Sequence, residues 1–256
     1  MATLRQAVLV FAFTILLGLP FAVAHGIGEP EIENARIEPS AYLPVDPSWL
    51  ALYDFGLICA IVAASLAFPA ALTPKTKKAF FIIIAVPAVL ITLYMAASTV
   101  YLNVISWSGG PVHWHADFEI WACGEKLALP KATFPSNYVG TSTLHHHDDY
   151  RIHVEGLVVS KEDVALRSFF RVIGGDLEKG RLAVPNTDVN SRNALPVLEF
   201  NNGDLCPNGK PGKVKLYVKN QETGAFEENP GIDDYVLKPF YNIPPGDYLK
   251  IAFETE

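Results

Sequence analysis

Two long apolar segments dominate the first half of the chain. One covers Leu50–Leu72 with Asp54 as its only charged residue, and the other covers Ala79–Ile105 without any charge. A helix needs about 20 apolar residues to cross a hydrocarbon core of about 30 Å, and both segments are longer than that. We predict two transmembrane helices, at residues 50–72 and 79–105.

A short loop, residues 73–78, separates the two segments, and three of its six residues are lysines. Lysines in short loops beside membrane helices concentrate on the cytoplasmic side. Residues 25–49 and 106–256 are therefore expected on the extracytoplasmic side of the cell membrane.

The N-terminus has the pattern of a secretory signal peptide. Arg5 supplies a positive charge, an apolar stretch follows, and Ala22-Val23-Ala24 matches a cleavage site built of small residues. Cleavage there would remove residues 1–24. The alternative is an uncleaved first helix, and both alternatives leave the same segments outside the cytoplasm.

Beyond Trp107 the pattern changes to short alternating segments separated by Gly, Pro, Asn and Asp. Alternation with a period of two is typical of strands that bury one face. One helix is expected to start at Ser160, where Ser160 and Asp163 form a capping-box pattern, and to end at Gly174. We predict an α+β or mainly β extracytoplasmic domain, with a β-grasp-like sheet as one arrangement. The predicted strands are Val112–Ala122, Tyr150–Val159, Arg181–Val184, Pro196–Phe200, Lys213–Lys219 and Asp247–Phe253.

The charge of this domain restricts its partners. Residues 107–256 contain 15 Lys/Arg and 21 Asp/Glu. This acidic balance argues against nucleic acid, because binding nucleic acid needs clustered positive charge. The sequence predicts two partners, the membrane and a metal ion. It indicates no particular protein partner.

Cysteine usage fits an oxidising compartment. Cys123 and Cys206 lie in the exported region, whereas Cys59 lies within the first predicted span. Exported cysteine pairs most often form disulfides. We predict a disulfide between Cys123 and Cys206, with thiolate metal ligands or free thiols as the alternatives.

Six of the seven histidines lie within residues 113–153. In the first predicted strand, His113, His115, Asp117 and Glu119 alternate with apolar residues and fall on one, solvent-facing side. Two imidazoles at i and i+2 of a strand point the same way, and both can reach one ion at about 2.0–2.1 Å. A third and a fourth donor from a neighbouring strand would complete a metal site.

A second block, LHHHDDYRIHVEG at residues 144–156, contains these further donors. If it pairs with the first strand, His146 points away from the shared face. The predicted metal ligands are His113, His115, His145, His147 and His153. Additional ligands, or acceptors for the second ring nitrogen of a ligand, would come from His25, Asp117, Glu119, His146, Asp148 and Asp149. The alternative is a metal-free patch of solvated or pH-responsive histidines.

The available donors favour Cu(II) or Zn(II), which bind imidazole and carboxylate groups. The only methionines are Met1 and Met95, so the exported region has no thioether. If Cys123 is oxidised, the region has no thiolate either. Soft Cu(I) sites and blue-copper sites, which need sulfur, are therefore disfavoured, and copper or zinc is the predicted cofactor.

His25, Gly26, His113 and His115, together with the signal peptide and the membrane hairpin, resemble the copper subunit of particulate methane monooxygenases. The resemblance implies that signal cleavage makes His25 the N-terminal residue. Its amine and imidazole would then chelate copper in a histidine brace. This sequence lacks a full domain between His25 and the first span.

His113, His115 and Glu119 in HWHADFE are similar to the first motif of the cupins, which implies a catalytic metal at these residues. The second cupin motif is not found, because PNGKPG at residues 207–212 is followed by no histidine. Four stretches lie within residues 110–256: HWHADFEIWACGEKLALP, HHHDDYRIHVEG, SFFRVIGG and NGDLCPNGKPGKVKLYV. They resemble a group of uncharacterised, membrane-anchored, histidine-rich exported proteins, and the resemblance covers most of residues 110–256. That resemblance implies that the two histidine blocks belong together.

These features predict a membrane-anchored protein that binds a transition metal outside the cytoplasm, for trafficking, buffering or sensing. One alternative is a metal-dependent enzyme of the cupin or copper-oxygenase kind, although no separate general base or nucleophile elbow is visible. The other is a metal-free interaction subunit of a membrane complex.

Overall fold

The computed structural model describes residues 38–132, 134–186, 197–220, 222–238 and 246–255. The chain divides into two compact units, one with residues 43–101 and the other with residues 38–42 and 102–255. The predicted signal peptide and His25 lie outside the described residues.

Two α-helices account for most of the first unit: α1, Pro47–Ala67, and α2, Pro74–Ile105. Asp46 caps α1 by accepting a hydrogen bond from the Ser48 N–H at 2.9 Å. Both helices are long and apolar enough to cross a membrane, and no residue in their most apolar windows is buried by the rest of the protein. The two predicted helices are present, although their ends differ from the prediction.

The first helix ends at Ala67 instead of Leu72 because of a proline. Pro69 has no N–H to continue the helix, and its ring disfavours the helical conformation at the residue before it. Pro69–Ala71 forms a separate 3₁₀ turn.

The second helix begins at Pro74 instead of Ala79. Proline suits the first helical turn, where its missing N–H has no intrahelical partner to lose. Lys75, Lys77 and Lys78 consequently lie in the first turns of α2 and not in an extended loop. The three lysines still lie between the two apolar segments, and the expected cytoplasmic side of this segment depends only on that position.

In the described part of the second unit, eleven strands form two sheets. The strands are β1 Pro111–Ala122, β2 Glu125–Lys126, β3 Val139–Gly140, β4 Leu144–His146, β5 Arg151–Leu157, β6 Asp176–Glu178, β7 Arg181–Pro185, β8 Val197–Asn201, β9 Gly212–Lys219, β10 Phe226–Asn229 and β11 Asp247–Thr255. The larger sheet has the order β10-β9-β11-β1-β5-β4-β3, with β2 paired to β1, and the smaller has the order β6-β7-β8.

Strand β1 lies in the middle of the larger sheet, parallel to β11 and antiparallel to β5. Its apolar positions face the core, as the alternation predicts: Trp114, Phe118 and Ile120 are almost fully buried. A helix of seven residues, α3, Leu166–Val172, contributes Phe169 to the same core. The domain is therefore α+β with a mixed sheet.

The predicted helix from Ser160 to Gly174 is interrupted. Residues Lys161–Val164 form a 3₁₀ turn, and α3 starts only at Leu166. Between them Ala165 is extended (φ −68°, ψ 149°) and forms an isolated bridge with Val236. This pairing replaces the helical hydrogen bonds that a continuous helix would have at this point.

The predicted disulfide is confirmed: Cys123 and Cys206 are bonded, with their Cα atoms 5.6 Å apart. Cys123 lies in the two-residue turn that joins β1 to β2, where both Cys123 (φ 51°) and Gly124 (φ 89°) have positive φ. The bond ties the end of β1 to the segment between β8 and β9.

Candidate metal centre

Three adjacent strands place three histidines in one row. In β1 and β5, His115 pairs with His153, and in β4 and β5, His145 pairs with the same His153. Paired residues in neighbouring strands project to the same face of a sheet, so the three imidazoles stand side by side. The ring centroids of His115 and His153 are 4.9 Å apart, and those of His145 and His153 are 5.4 Å apart.

Two more histidines flank this row. The ring of His113 lies 4.6 Å from that of His115, and the ring of His147 lies 4.9 Å from both His145 and His153. All five predicted ligands are thus brought together. We refer to His113, His115, His145, His147 and His153 as the five-histidine cluster.

The cluster contains two groups of three histidines whose ring nitrogens are spaced closely enough to hold a metal ion after small movements. One group is His113, His115 and His153, and the other is His145, His147 and His153. Within each group, one ring nitrogen of every histidine lies within 4.8 Å of those of the other two. Ligand nitrogens at about 2.0–2.1 Å from one ion lie at most about 4.2 Å apart, so small side-chain movements would close either group on an ion.

Backbone carbonyls orient two of the rings. His145 Nδ1 lies 3.0 Å from the Thr141 carbonyl oxygen, and His147 Nδ1 lies 2.8 Å from the Asn137 carbonyl oxygen. A carbonyl oxygen can only accept, so in each ring the Nδ1–H donates a hydrogen bond to it. Nε2 is then the unprotonated ring nitrogen. Metal-binding histidines commonly have such a partner on the second nitrogen, because it fixes both the tautomer and the direction of the ring.

The cluster is more buried than the sequence predicts. The strand alternation puts His115 on a solvent-facing side, but His115 is only 5% exposed and His145 only 3%. The rings cover one another: those of His113 and His153 lie 4.6 and 4.9 Å from the His115 ring, and the Tyr138 ring lies 4.8 Å from the His145 ring. The expectation of a solvated face is therefore wrong for His115, whereas the side chain of His113 is 59% exposed.

Burial keeps these imidazoles neutral. Desolvation lowers the pKa of His115, His145 and His153 below the ordinary value of 6.5, and in His115 the neighbouring rings of His153 and His113 lower it further. A neutral imidazole is the form that binds a metal ion. The lowered pKa values of these three histidines consequently favour their ligand form at neutral pH.

His146 is separate from the cluster, as the alternation predicts. Its ring is fully buried on the core side of the sheet, 6.5 Å from the ring of Phe118 and 6.2 Å from that of Phe169. Its Nδ1 accepts a hydrogen bond from the Asp148 N–H at 3.1 Å, and burial lowers its pKa to about 4. His146 therefore does not act as a ligand in this arrangement.

Two carboxylates lie beside the cluster. Asp149 Oδ2 is 3.3 Å from His153 Nε2, which agrees with its predicted position. Glu155 Oε1 is 3.2 Å from His113 Nε2 and 4.0 Å from His145 Nε2. The sequence prediction omitted Glu155, although its position two residues after His153 in β5 puts it on the same face.

The other three predicted carboxylates have different partners. Asp117 forms an ion pair with Arg151 at 2.8 Å, and Glu119 Oε2 lies 3.8 Å from Lys126 Nζ. Asp148 accepts a hydrogen bond from the Ala132 N–H at 3.2 Å. These contacts hold Asp117, Glu119 and Asp148 outside the cluster.

Comparisons with protein-family models, with curated proteins and with solved structures return no match for this chain. They neither support nor contradict the resemblances noted in the sequence, and the case for a function rests on the five-histidine cluster and the two apolar helices.

Proposed function

We propose that this protein is anchored in a membrane by α1 and α2 and binds a divalent transition metal, Cu(II) or Zn(II), at the five-histidine cluster on the extracytoplasmic side. The observation that carries the proposal is the convergence of five imidazoles from two separate sequence blocks onto one face of the sheet. Metal trafficking, buffering or sensing fits a site of this kind on a membrane anchor.

The hydrogen-bonding pattern supports metal binding over a plain polar patch. Buried ring nitrogens cost free energy unless they have partners. His115 Nδ1 and His153 Nδ1 are buried, and neither has a hydrogen-bond partner among the described residues. An ion held by these rings would compensate for burying these two nitrogens without a hydrogen bond.

A β-grasp-like arrangement of the domain remains part of the proposal. Its supporting feature is the parallel pairing of β1 with β11 in the middle of a mixed sheet.

Metal retention tests the proposed function directly. The full chain, purified in detergent without a histidine tag and stripped with EDTA, is incubated with Cu(II) or Zn(II) and desalted. We expect elemental analysis to find bound metal. The matched control is His146→Asn, which removes a histidine of the same block outside the cluster and keeps an acceptor near the Asp148 N–H. The proposal fails if the chain retains neither metal, or if a variant with His115, His145 and His153 all replaced by alanine retains as much.

The orientation of the chain gives a second test. Three lysines lie between the apolar segments, so we expect a Thr76→Cys side chain to face the cytoplasm. In a Cys59→Ala background, a membrane-impermeant maleimide should label Thr76→Cys only after lysis, and should label the exposed position of Thr223→Cys in intact cells or spheroplasts. Labelling of Thr76→Cys from the outside would reverse the proposed topology.

A further inference from the structure

We propose that the five-histidine cluster is a two-ion centre in which His153 is the ligand shared by both ions. This inference rests on the proposed metal binding, and it adds the number of ions and the role of the central residue. It follows from strand direction, from the spacing of the ring nitrogens and from the surroundings of His153.

Strand direction puts the two outer histidines on opposite sides of the central row. Both β1 and β4 are antiparallel to β5, so they run in the same direction. His113 lies two residues before His115 in β1, and His147 lies two residues after His145, one residue beyond the end of β4. One ion position is therefore between β1 and β5 on the His113 side, and the other is between β5 and β4 on the His147 side.

The spacing excludes one ion that binds all five rings in this arrangement. Among the described residues, the ring nitrogens satisfy the 4.8 Å limit only as two sets of three, and His153 is the member common to both. A single ion needs ligand nitrogens within about 4.2 Å of one another. Two ions with three imidazoles each would use every ring of the cluster, provided that His153 serves both.

The two ring nitrogens of His153 have surroundings that suit this role. Nε2 lies 3.3 Å from Asp149 Oδ2, and the other oxygen of Asp149 accepts the His147 N–H at 3.3 Å, so this edge of the ring faces the His147 side. Nδ1, on the other edge, is buried and has no hydrogen-bond partner among the described residues. Each nitrogen can thus bind one ion.

Sharing His153 requires the loss of one proton. The neutral ring has one N–H and one free electron pair, and the first ion binds the free pair. When the second ion binds, the N–H bond breaks, its proton passes to water, and the released pair forms the second metal–nitrogen bond. No electron is transferred. The nearby carboxylates Glu155, beside His113, and Asp149, beside His153, supply one negative charge on each side.

The test is the stoichiometry and magnetism of Cu(II) binding. The full chain in detergent is stripped with EDTA, titrated with Cu(II) and desalted, and bound copper is measured together with the electron paramagnetic resonance spin count. We expect two ions per chain. We also expect a spin count well below two at low temperature, because an imidazole bonded to both ions couples their unpaired spins.

Variants distinguish a two-ion centre from other arrangements. His113→Ala and His147→Ala should each leave one tightly bound ion with a full spin count, His153→Ala should weaken both ions, and His146→Asn should still bind two. Thermal unfolding of each metal-free variant checks that it is folded.

Each other outcome contradicts a defined part of the proposal. One ion in the unaltered chain would overturn the two-ion inference and leave the proposed function standing, whereas no bound ion would remove both. Two ions with a full spin count would show that His153 does not join them. Loss of both ions in the His113→Ala variant or in the His147→Ala variant would contradict two separable positions.

Discussion

Replacing His115 with alanine is expected to lower the affinity of the position formed by His113, His115 and His153 for Cu(II) or Zn(II) at least about 100-fold, equivalent to about 2.7 kcal/mol, while the ion at the other position stays bound. His115 belongs to the group with His113 and His153, and its loss leaves two imidazoles there. Protein sites hold such ions with three or four ligands, so two cannot retain one tightly. The measurement is a competition titration against a chromophoric chelator with the full chain in detergent.

The same substitution should change the metal-free fold little. His115 Nδ1 is buried without a hydrogen-bond partner among the described residues, so truncation breaks no hydrogen bond at that atom. Its ring packs mainly against other imidazoles, those of His113 and His153. Thermal unfolding in EDTA should therefore be similar for the variant and the unaltered chain. Without this control, a lost affinity could reflect a lost fold.

The result depends on a comparison with His146→Asn. This control removes an imidazole that lies on the core side of the sheet, so its metal affinity should stay within about threefold of the unaltered chain, a difference of about 0.7 kcal/mol. If all three proteins bind the same number of ions with the same affinity, the ions bind elsewhere, and the cluster is then a buried histidine patch.

The composition of the cluster was predictable because alternation in a strand is a local property. His113 and His115 share a face since they are two residues apart, and the same rule joins His145 to His147 and excludes His146. Hydrophobic runs likewise located both helices. These predictions need only the chain's own periodicity.

Features that depend on distant contacts were not predictable. The burial of His115 depends on the pairing of β1 with β5, which puts the His153 ring 4.9 Å from the His115 ring. Ala165 interrupts the expected helix because it pairs with Val236, which is far away in the sequence. Alternation alone places Glu155 on the same face as His153, but its contact with His113 depends on the register of β1 with β5.

The disulfide is the covalent link between the strand that carries His113 and His115 and a later part of the domain. Cys123 follows the last residue of β1, and Cys206 lies between β8 and β9, where it is almost fully buried. The link therefore acts on the end of β1 away from the histidines. We expect it to contribute to the stability of the domain and not to the chemistry of the cluster.

Replacing both Cys123 and Cys206 with serine is expected to lower the free energy of unfolding by about 4–5 kcal/mol. The two cysteines are separated by 83 positions in the sequence. In the chain-entropy description, closing a loop of this length restricts the unfolded chain by about 4.5 kcal/mol at 25 °C. Chemical denaturation of the metal-free protein in detergent, followed by tryptophan fluorescence, measures the difference, because Trp114 and Trp121 both lie in β1.

Two controls separate the crosslink from other effects of the substitution. Cys59→Ala removes the thiol that forms no disulfide and should leave the unfolding of the sheet domain unchanged. Treatment with a reductant should destabilise the unaltered chain by a similar amount and should not affect the double variant. A loss smaller than about 1 kcal/mol would contradict the prediction, since removing native disulfides from small exported domains costs about 2–5 kcal/mol. If the folded double variant also binds metal with unchanged affinity, the disulfide stabilises the domain without setting the geometry of the cluster.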